Sequence, residues 1–377
     1  MRLSRILHIA PTLACVVCAL VISASAQITI TSPTTGSTVS MPVWLRAHAS
    51  SCNGSANMTG IGYSINNSPF ITWGTNLTDI DTTDYRFASQ PSPGAQYTIQ
   101  FKAWSDKGAC QAVPVVVNVS GPVTTTKTNV DQNPNDQGWN PLACPNTNST
   151  ANATNWFWQW DSGTARCTYS DSSTYIAPSG SPSIDGTSRL FYVDWTSWAP
   201  NTSPGERSSE LFGNDAAATH FVYDTYIYLN DPTHIQNLEM DTNQVYNSSG
   251  DVLIYGLQCA HSSGSWEYTI NKGTKALPQD TWVPSTLACD PWKWTPKSWH
   301  HVQLVVHRVN ENAYYDSITW DGKTTSLTSS GPSAFGLKWL PEGNLLLNFQ
   351  IDGVPTAVGN GANATLYIDG MTMIYWH

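Results

Sequence analysis

The stretch "NLEMDTNQVY", residues 237–246, decides how the chain is read. On an extended strand successive side chains point to opposite faces. Leu238, Met240 and Thr242 therefore share one face, and Asn237, Glu239, Asp241 and Asn243 share the other. The first face suits a core. The second is an unbroken row of polar groups, which need partners once they leave water, and a ligand lying on that face would supply them.

Working outward, the flanking segments repeat the short, β-branched and aromatic pattern of strands. They include "HFVYDTYIYL" (220–229), "VLIYGLQCAH" (252–261), "SWEYTIN" (265–271), "HHVQLVVHRV" (300–309), "NLLLNFQID" (344–352) and "ATLYIDGMTMIYW" (364–376). No long segment carries helical periodicity, and this density of strands separated by turn residues predicts two packed antiparallel sheets over residues 136–377. Residues 27–121 read as a smaller all-β unit. The polar, Thr-rich segment 122–135 between them reads as a linker.

Arg2 and Arg5 precede an apolar run that ends in Ala24-Ser25-Ala26. That is the pattern of a secretory signal peptide over residues 1–26, cleaved near Ala26–Gln27. Of the 8 cysteines, Cys15 and Cys18 lie in this leader; Cys52, Cys110, Cys144, Cys167, Cys259 and Cys289 remain. An even set in an oxidising compartment favours disulfides over metal ligation. Sequence proximity suggests the pairs Cys52–Cys110, Cys144–Cys167 and Cys259–Cys289, while other connectivities stay open.

The net charge is −10, only 12% of residues are charged and 17 are tryptophans. Nucleic acid or an anionic membrane as partner would require a basic face that this composition does not offer. Tryptophan instead matches the C–H face of a pyranose ring while its N–H bonds a hydroxyl, so a polysaccharide or oligosaccharide is the expected partner. The alternating Trp156, Trp158 and Trp160 of "WFWQW" suit either a stacking platform or a core. His300, His301 and His307 surround one strand, and the first two read as surface and strand-edge residues rather than metal ligands.

Two resemblances sharpen this reading. The opening "ITITSPTTGSTVSMPVWLRAHAS" (28–50) resembles the Ig-like modules attached to secreted bacterial proteins, which implies an Ig-like sandwich over 27–121 acting as a spacer or adhesion module. "EMD" on its strand, "VLIYGLQCAH", "WHHVQLVVHR…YYDSITWDGK" and "LLLNFQIDG…ATLYIDGMTMIYWH" resemble the concanavalin A-like lectin/glucanase superfamily. Their order is similar to that in laminarinase and lichenase-type β-glucanases, and the "WHH…WDGK" portion to laminin G-like lectin modules. The implied architecture is a concanavalin A-like jelly-roll β-sandwich over 136–377.

In those glucanases Glu-x-Asp is followed by a second Glu at the fourth or fifth position after the first. The resemblance makes Glu239 the nucleophile and Asp241 its partner. Asn243 or Gln244 occupies the place of the acid/base, and an amide has no acidic proton to give a leaving group. Glu267 or Glu210 would have to substitute, with Asp224 a more remote choice. "RSSEL" (207–211) resembles the Arg-Ser-Glu-Leu of jelly-roll alginate lyases with one Ser too many. The expected function is therefore carbohydrate binding, with Asn237, Glu239, Asp241, Asn243, Gln244 and Trp266 as contacts. A retaining endo-β-glucanase and a structural or adhesive surface protein are the alternatives. No organic cofactor or catalytic metal is expected; the oxygen-rich clusters are compatible with a structural calcium ion.

Overall fold

The structure is a computed structural model that describes residues 27–67, 71–73, 78–85, 96–121, 124–132, 140–142, 175–194, 205–337, 341–354 and 363–377. The expected signal peptide, Cys144, Cys167 and the "WFWQW" tryptophans lie outside these residues. Apart from two short 3-10 turns, every regular element described is a strand, as the alternation in the sequence predicts. Among the described residues no helix is long and apolar enough to cross a membrane.

The N-terminal strands are β1 (Gln27–Ser32), β2 (Thr38–Ser40), β3 (Val43–Ser51), β4 (Met58–Ile65), β5 (Ile71–Trp73), β6 (Asp79–Asp84), β7 (Gln96–Ser105), β8 (Gly108–Ala109) and β9 (Val113–Ser120). β1-β3-β6 forms one layer and β2-β9-β7-β4-β5 the other. In β3 the side chains Val43, Leu45, Ala47 and Ala49 alternate inward against Ile61, Ile99, Phe101 and Val117. Cys52 and Cys110 are bonded across this core.

The remaining strands are β10 (Thr125–Lys127), β11 (Asn140–Leu142), β12 (Tyr175–Ser179), β13 (Ser188–Asp194), β14 (Gly205–Asn214), β15 (His220–Leu229), β16 (Ile235–Val245) and β17 (Val252–Ala260). They continue as β18 (Ser265–Asn271), β19 (Asp280–Ala288), β20 (Trp299–Val309), β21 (Asn312–Trp320), β22 (Lys323–Pro332), β23 (Ala334–Phe335), β24 (Asn344–Gly353) and β25 (Asn363–Trp376). One sheet runs β11-β14-β24-β16-β17-β18-β19; the other runs β22-β21-β20-β15-β25-β13-β12. Leu238, Met240, Tyr255, Leu257, Leu347 and Phe349 of the first sheet meet Phe221, Tyr223, Leu304, Val306 and Met373 of the second in one core. Each such side chain contributes roughly 1.5–3 kcal/mol by leaving water. Cys259 and Cys289 are bonded at one end of it, and the two disulfides are bonds of an oxidising compartment.

The segment expected as a linker is partly built into this second sandwich. β10 pairs with β25, Val130 enters the core, and Asp131 Oδ1 accepts the Met371 N–H at 2.8 Å. The segment's polar composition hid this, because Val130 and Asp131, adjacent in sequence, leave no periodic signal. The two sandwiches also meet directly: Tyr85 stacks on Trp376 with centroids 5.9 Å apart, beside Met41, Val222, Val305 and Ile374. β6 and β22 touch at Asp81 and Lys323.

Candidate functional site

β16 lies in the middle of its sheet, with β24 on one side and β17 on the other. Its alternation holds: Leu238 and Met240 enter the core, so Asn237, Glu239, Asp241 and Asn243 stand on the face turned away from it. Register then assembles two polar rows across the sheet. In the first, Gln350, Glu239, Gln258 and Glu267 follow one another across β24, β16, β17 and β18. In the second, Asn348, Asp241 and Gly256 are aligned, and Thr269 pairs with Trp282 of β19 just beyond Gly256.

Close approach explains the glycine. A Cβ on Gly256 would lie 2.8 Å from Asp241 Oδ1, 2.7 Å from Thr269 Cγ2 and 3.1 Å from the Trp282 ring. The bare backbone therefore lets the Asp241 carboxylate and the Trp282 indole share one spot on the face. Trp282, half-buried, is the aromatic residue of this site, and the sequence reading missed it. The available signal was Gly256 itself, a glycine in the interior of an otherwise bulky strand, which marks close approach by another group.

The rows are anchored by their own hydrogen bonds. Gln258 Nε2 donates to Glu267 Oε2 at 2.5 Å, Asn237 Nδ2 to Asp352 Oδ2 at 3.1 Å and Gln350 Nε2 to Asp352 Oδ1 at 2.8 Å. Burial grades along β16: Asn237, Gln350 and Asp352 are half-buried, whereas Glu239 is 4% exposed, Asp241 1% and Asn243 and Asn348 0%. Both amide atoms of Asn243 and of Asn348 lack hydrogen-bond partners. Most buried polar groups in folded proteins are paired, and these two amides are exceptions. Burial, and after it the Asp241 charge, pushes the Tyr223 and Tyr315 hydroxyls well above the usual phenol range.

Two of the expected residues stand elsewhere. Gln244 is one position out of phase with Asn243; its Nε2 donates to the carbonyls of Asp215, Ala216 and Ala218 at 2.8–3.1 Å, and its Oε1 accepts the Tyr255 hydroxyl. It braces a loop from the core side, where a sugar has no access. Trp266 is out of phase with Glu267 and packs in the core. Glu210 lies on β14 and pairs in register with Leu347 of β24.

Asp224 and the histidines belong to the other sheet. His301 Nε2 lies 3.0 Å from Asp224 Oδ1, and His300 and His307 pair with Asp321 and Asp316. Their burial beside these carboxylates replaces the edge placement expected for His300 and His301. Among the described residues no group of three or more His, Cys, Asp or Glu side chains converges as a metal would require.

No protein-family model matches the chain. No curated protein matches it either. Among solved structures, one described as carbohydrate-binding modules from the β-sandwich superfamily is 8% identical, over 92% of this chain and 96% of its own, with a TM-score of 0.28. A family 7 alginate lyase is 12% identical over 55% of this chain and 85% of its own, at 0.30. Lectin II from Ulex europaeus is 10% identical over 54% and 92%, at 0.29. Overlaps of this size set up no residue-by-residue correspondence with Glu239 or its neighbours.

Proposed function

We propose that the chain is a secreted carbohydrate-binding protein that holds a polysaccharide on the outer face of the β24-β16-β17-β18 sheet. The observation that carries this reading is the register of the two rows, which sets carboxylates and amides beside one indole. Glu239, Asp241 and Glu267 accept sugar hydroxyls, the amides of Gln258, Gln350, Asn243 and Asn348 both donate and accept, and Trp282 offers a flat face to a ring. The half-buried end at Asn237 and Asp352 is the side from which a chain enters.

The same geometry speaks against retaining hydrolysis. A retaining pair needs carboxylates about 5–5.5 Å apart. Both register neighbours of Glu239 are amides, Gln350 and Gln258. Glu267 is two strands away, about 9–10 Å at the usual spacing, and Asp241 is about 6.6 Å along the strand. Inverting enzymes accept wider pairs because a water sits in the gap; here the gap holds the Gln258 side chain.

The test incubates the purified protein with soluble β-glucans, xylans and galactans and reads gel retardation beside release of reducing ends. Retardation without new reducing ends is the expected result. New reducing ends would establish an enzyme instead, and neither signal would leave the chain a structural or adhesive protein.

A further inference from the structure

A cavity of about 360 Å³ opens at the end of the second sandwich, between the start of β18, the start of β20, the end of β21 and the turn that follows β19. Its walls are Trp266, Trp294, Trp320 and His300, and Asp290, Lys293 and Asp321 also line it. Trp266 is one residue out of phase with Glu267, so this cavity lies on the core side of the sheet, apart from the polar rows.

The walls are flat and fixed. Trp294 and Trp320 have centroids 4.4 Å apart at 43°, Trp320 stacks on His300 at 4.9 Å and 9°, and Trp266 meets Trp320 edge-on at 6.4 Å. The polar groups are held as firmly. Asp321 Oδ2 lies 2.8 Å from His300 Nδ1, its Oδ1 accepts the His301 N–H at 2.8 Å, and Asp290 Oδ1 accepts the Trp292 N–H at 3.1 Å. The Cys259–Cys289 bond ties the turn to β17.

A void left by imperfect packing would be apolar on all sides; this one is bounded by two carboxylates and an ammonium. Indole walls with a few convergent polar groups, at the small end of the 300–1,000 Å³ typical of ligand sites, form a preorganised site for a small ligand. Lys293 Nζ is 3.3 Å from Asp290 Oδ2, and a histidine ring nitrogen holds each carboxylate, His261 Nδ1 at 2.9 Å from Asp290 and His300 Nδ1 at 2.8 Å from Asp321. Carboxylates fixed in this way are ready acceptors for the hydroxyl groups of a neutral ligand. We infer that the Trp266–Trp294–Trp320 cavity is a second carbohydrate site that takes a single pyranose residue, such as the end of a glycan chain. The ring's C–H face lies on indole, and its hydroxyls reach Asp321, Asp290 and Lys293.

The experiment is a calorimetric titration of the full protein with the methyl pyranosides of glucose, galactose and mannose, with choline as a cationic probe. At least one pyranoside binds, and Asp321→Asn and Trp320→Ala each weaken it by about tenfold or more. Asp321 is a partly exposed turn residue, so its variant decides the matter even if Trp320→Ala fails to fold. The inference is overturned if no pyranoside binds, if choline binds in their place, or if Glu239→Gln abolishes binding while Asp321→Asn leaves it unchanged. Because Glu239→Gln reads the polar rows and Asp321→Asn reads the cavity, failure of one site is distinguished from failure of the other.

Discussion

Glu239 and Glu267 stand in one register row with Gln258 between them, and Gln258 donates its amide to Glu267. Three consecutive strands thus carry acceptor, amide and acceptor in one row, and the register neighbour of Glu239 on β17 is an amide. Glu239→Gln should weaken polysaccharide retardation about tenfold or more, since a hydrogen bond to a charged group is worth about 1.5–3 kcal/mol. It should leave reducing-end release at the background of the unaltered protein. A variant that binds as well as the parent would remove Glu239 from the site.

Gln244→Glu is the substitution that restores a second Glu in the sequence motif. The structure makes it destructive. Gln244 Nε2 faces the carbonyl oxygens of Asp215, Ala216 and Ala218, and a carboxylate there would meet three acceptors without a donor. The expected cost is about 3 kcal/mol or more, seen as a lower denaturation midpoint, with no hydrolysis gained. A stable Gln244→Glu protein that releases reducing ends would refute the placement.

Asn243 sits in register between Ile254 and Leu346, both members of a small apolar cluster with Val245, Val252, Phe335 and Leu337. Its amide is buried without partners. Asn243→Leu should therefore raise stability by about 1–3 kcal/mol, the cost of an unsatisfied buried polar group, while weakening polysaccharide binding. Denaturant unfolding beside gel retardation checks both halves. Loss of stability together with unchanged binding would mean that the amide serves the fold alone.

How far the sequence carried differs residue by residue. The two faces of β16 were legible because alternation is a local property, and the Cys52–Cys110 and Cys259–Cys289 pairs because each joins cysteines that follow one another in the sequence. The same alternation already implied that Gln244 leaves the face of Asn243 and that Trp266 leaves the face of Glu267; motif spacing and the wish for an aromatic contact concealed it. What alternation cannot give is strand order. That Gln350, rather than a carboxylate, flanks Glu239 on one side depends on β24 lying beside β16 although all of β17 to β23 intervene in the chain. Trp282 escaped notice for the same reason, since its link to Asp241 passes through Gly256 and two strand pairings.

Asp131 supplies a pH-dependent prediction away from the site. Burial, with the Asp369 charge adding to it, lifts the Asp131 carboxyl from 3.8 to about 7 against the opposing Met371 N–H bond. A group whose folded value is raised stabilises the fold fully below its unfolded value, and that contribution is lost as pH rises through the folded one. The parent protein should therefore lose stability between about pH 4 and pH 7 from this group, by at most roughly 4 kcal/mol at 1.36 kcal/mol per unit. Asp131→Asn keeps an oxygen for the Met371 N–H and places a neutral donor where Oδ2 lies buried without a partner. Its unfolding midpoint should be flatter over that window and higher than the parent's at pH 8. An unchanged pH profile in the variant would show that Asp131 titrates normally in the folded chain.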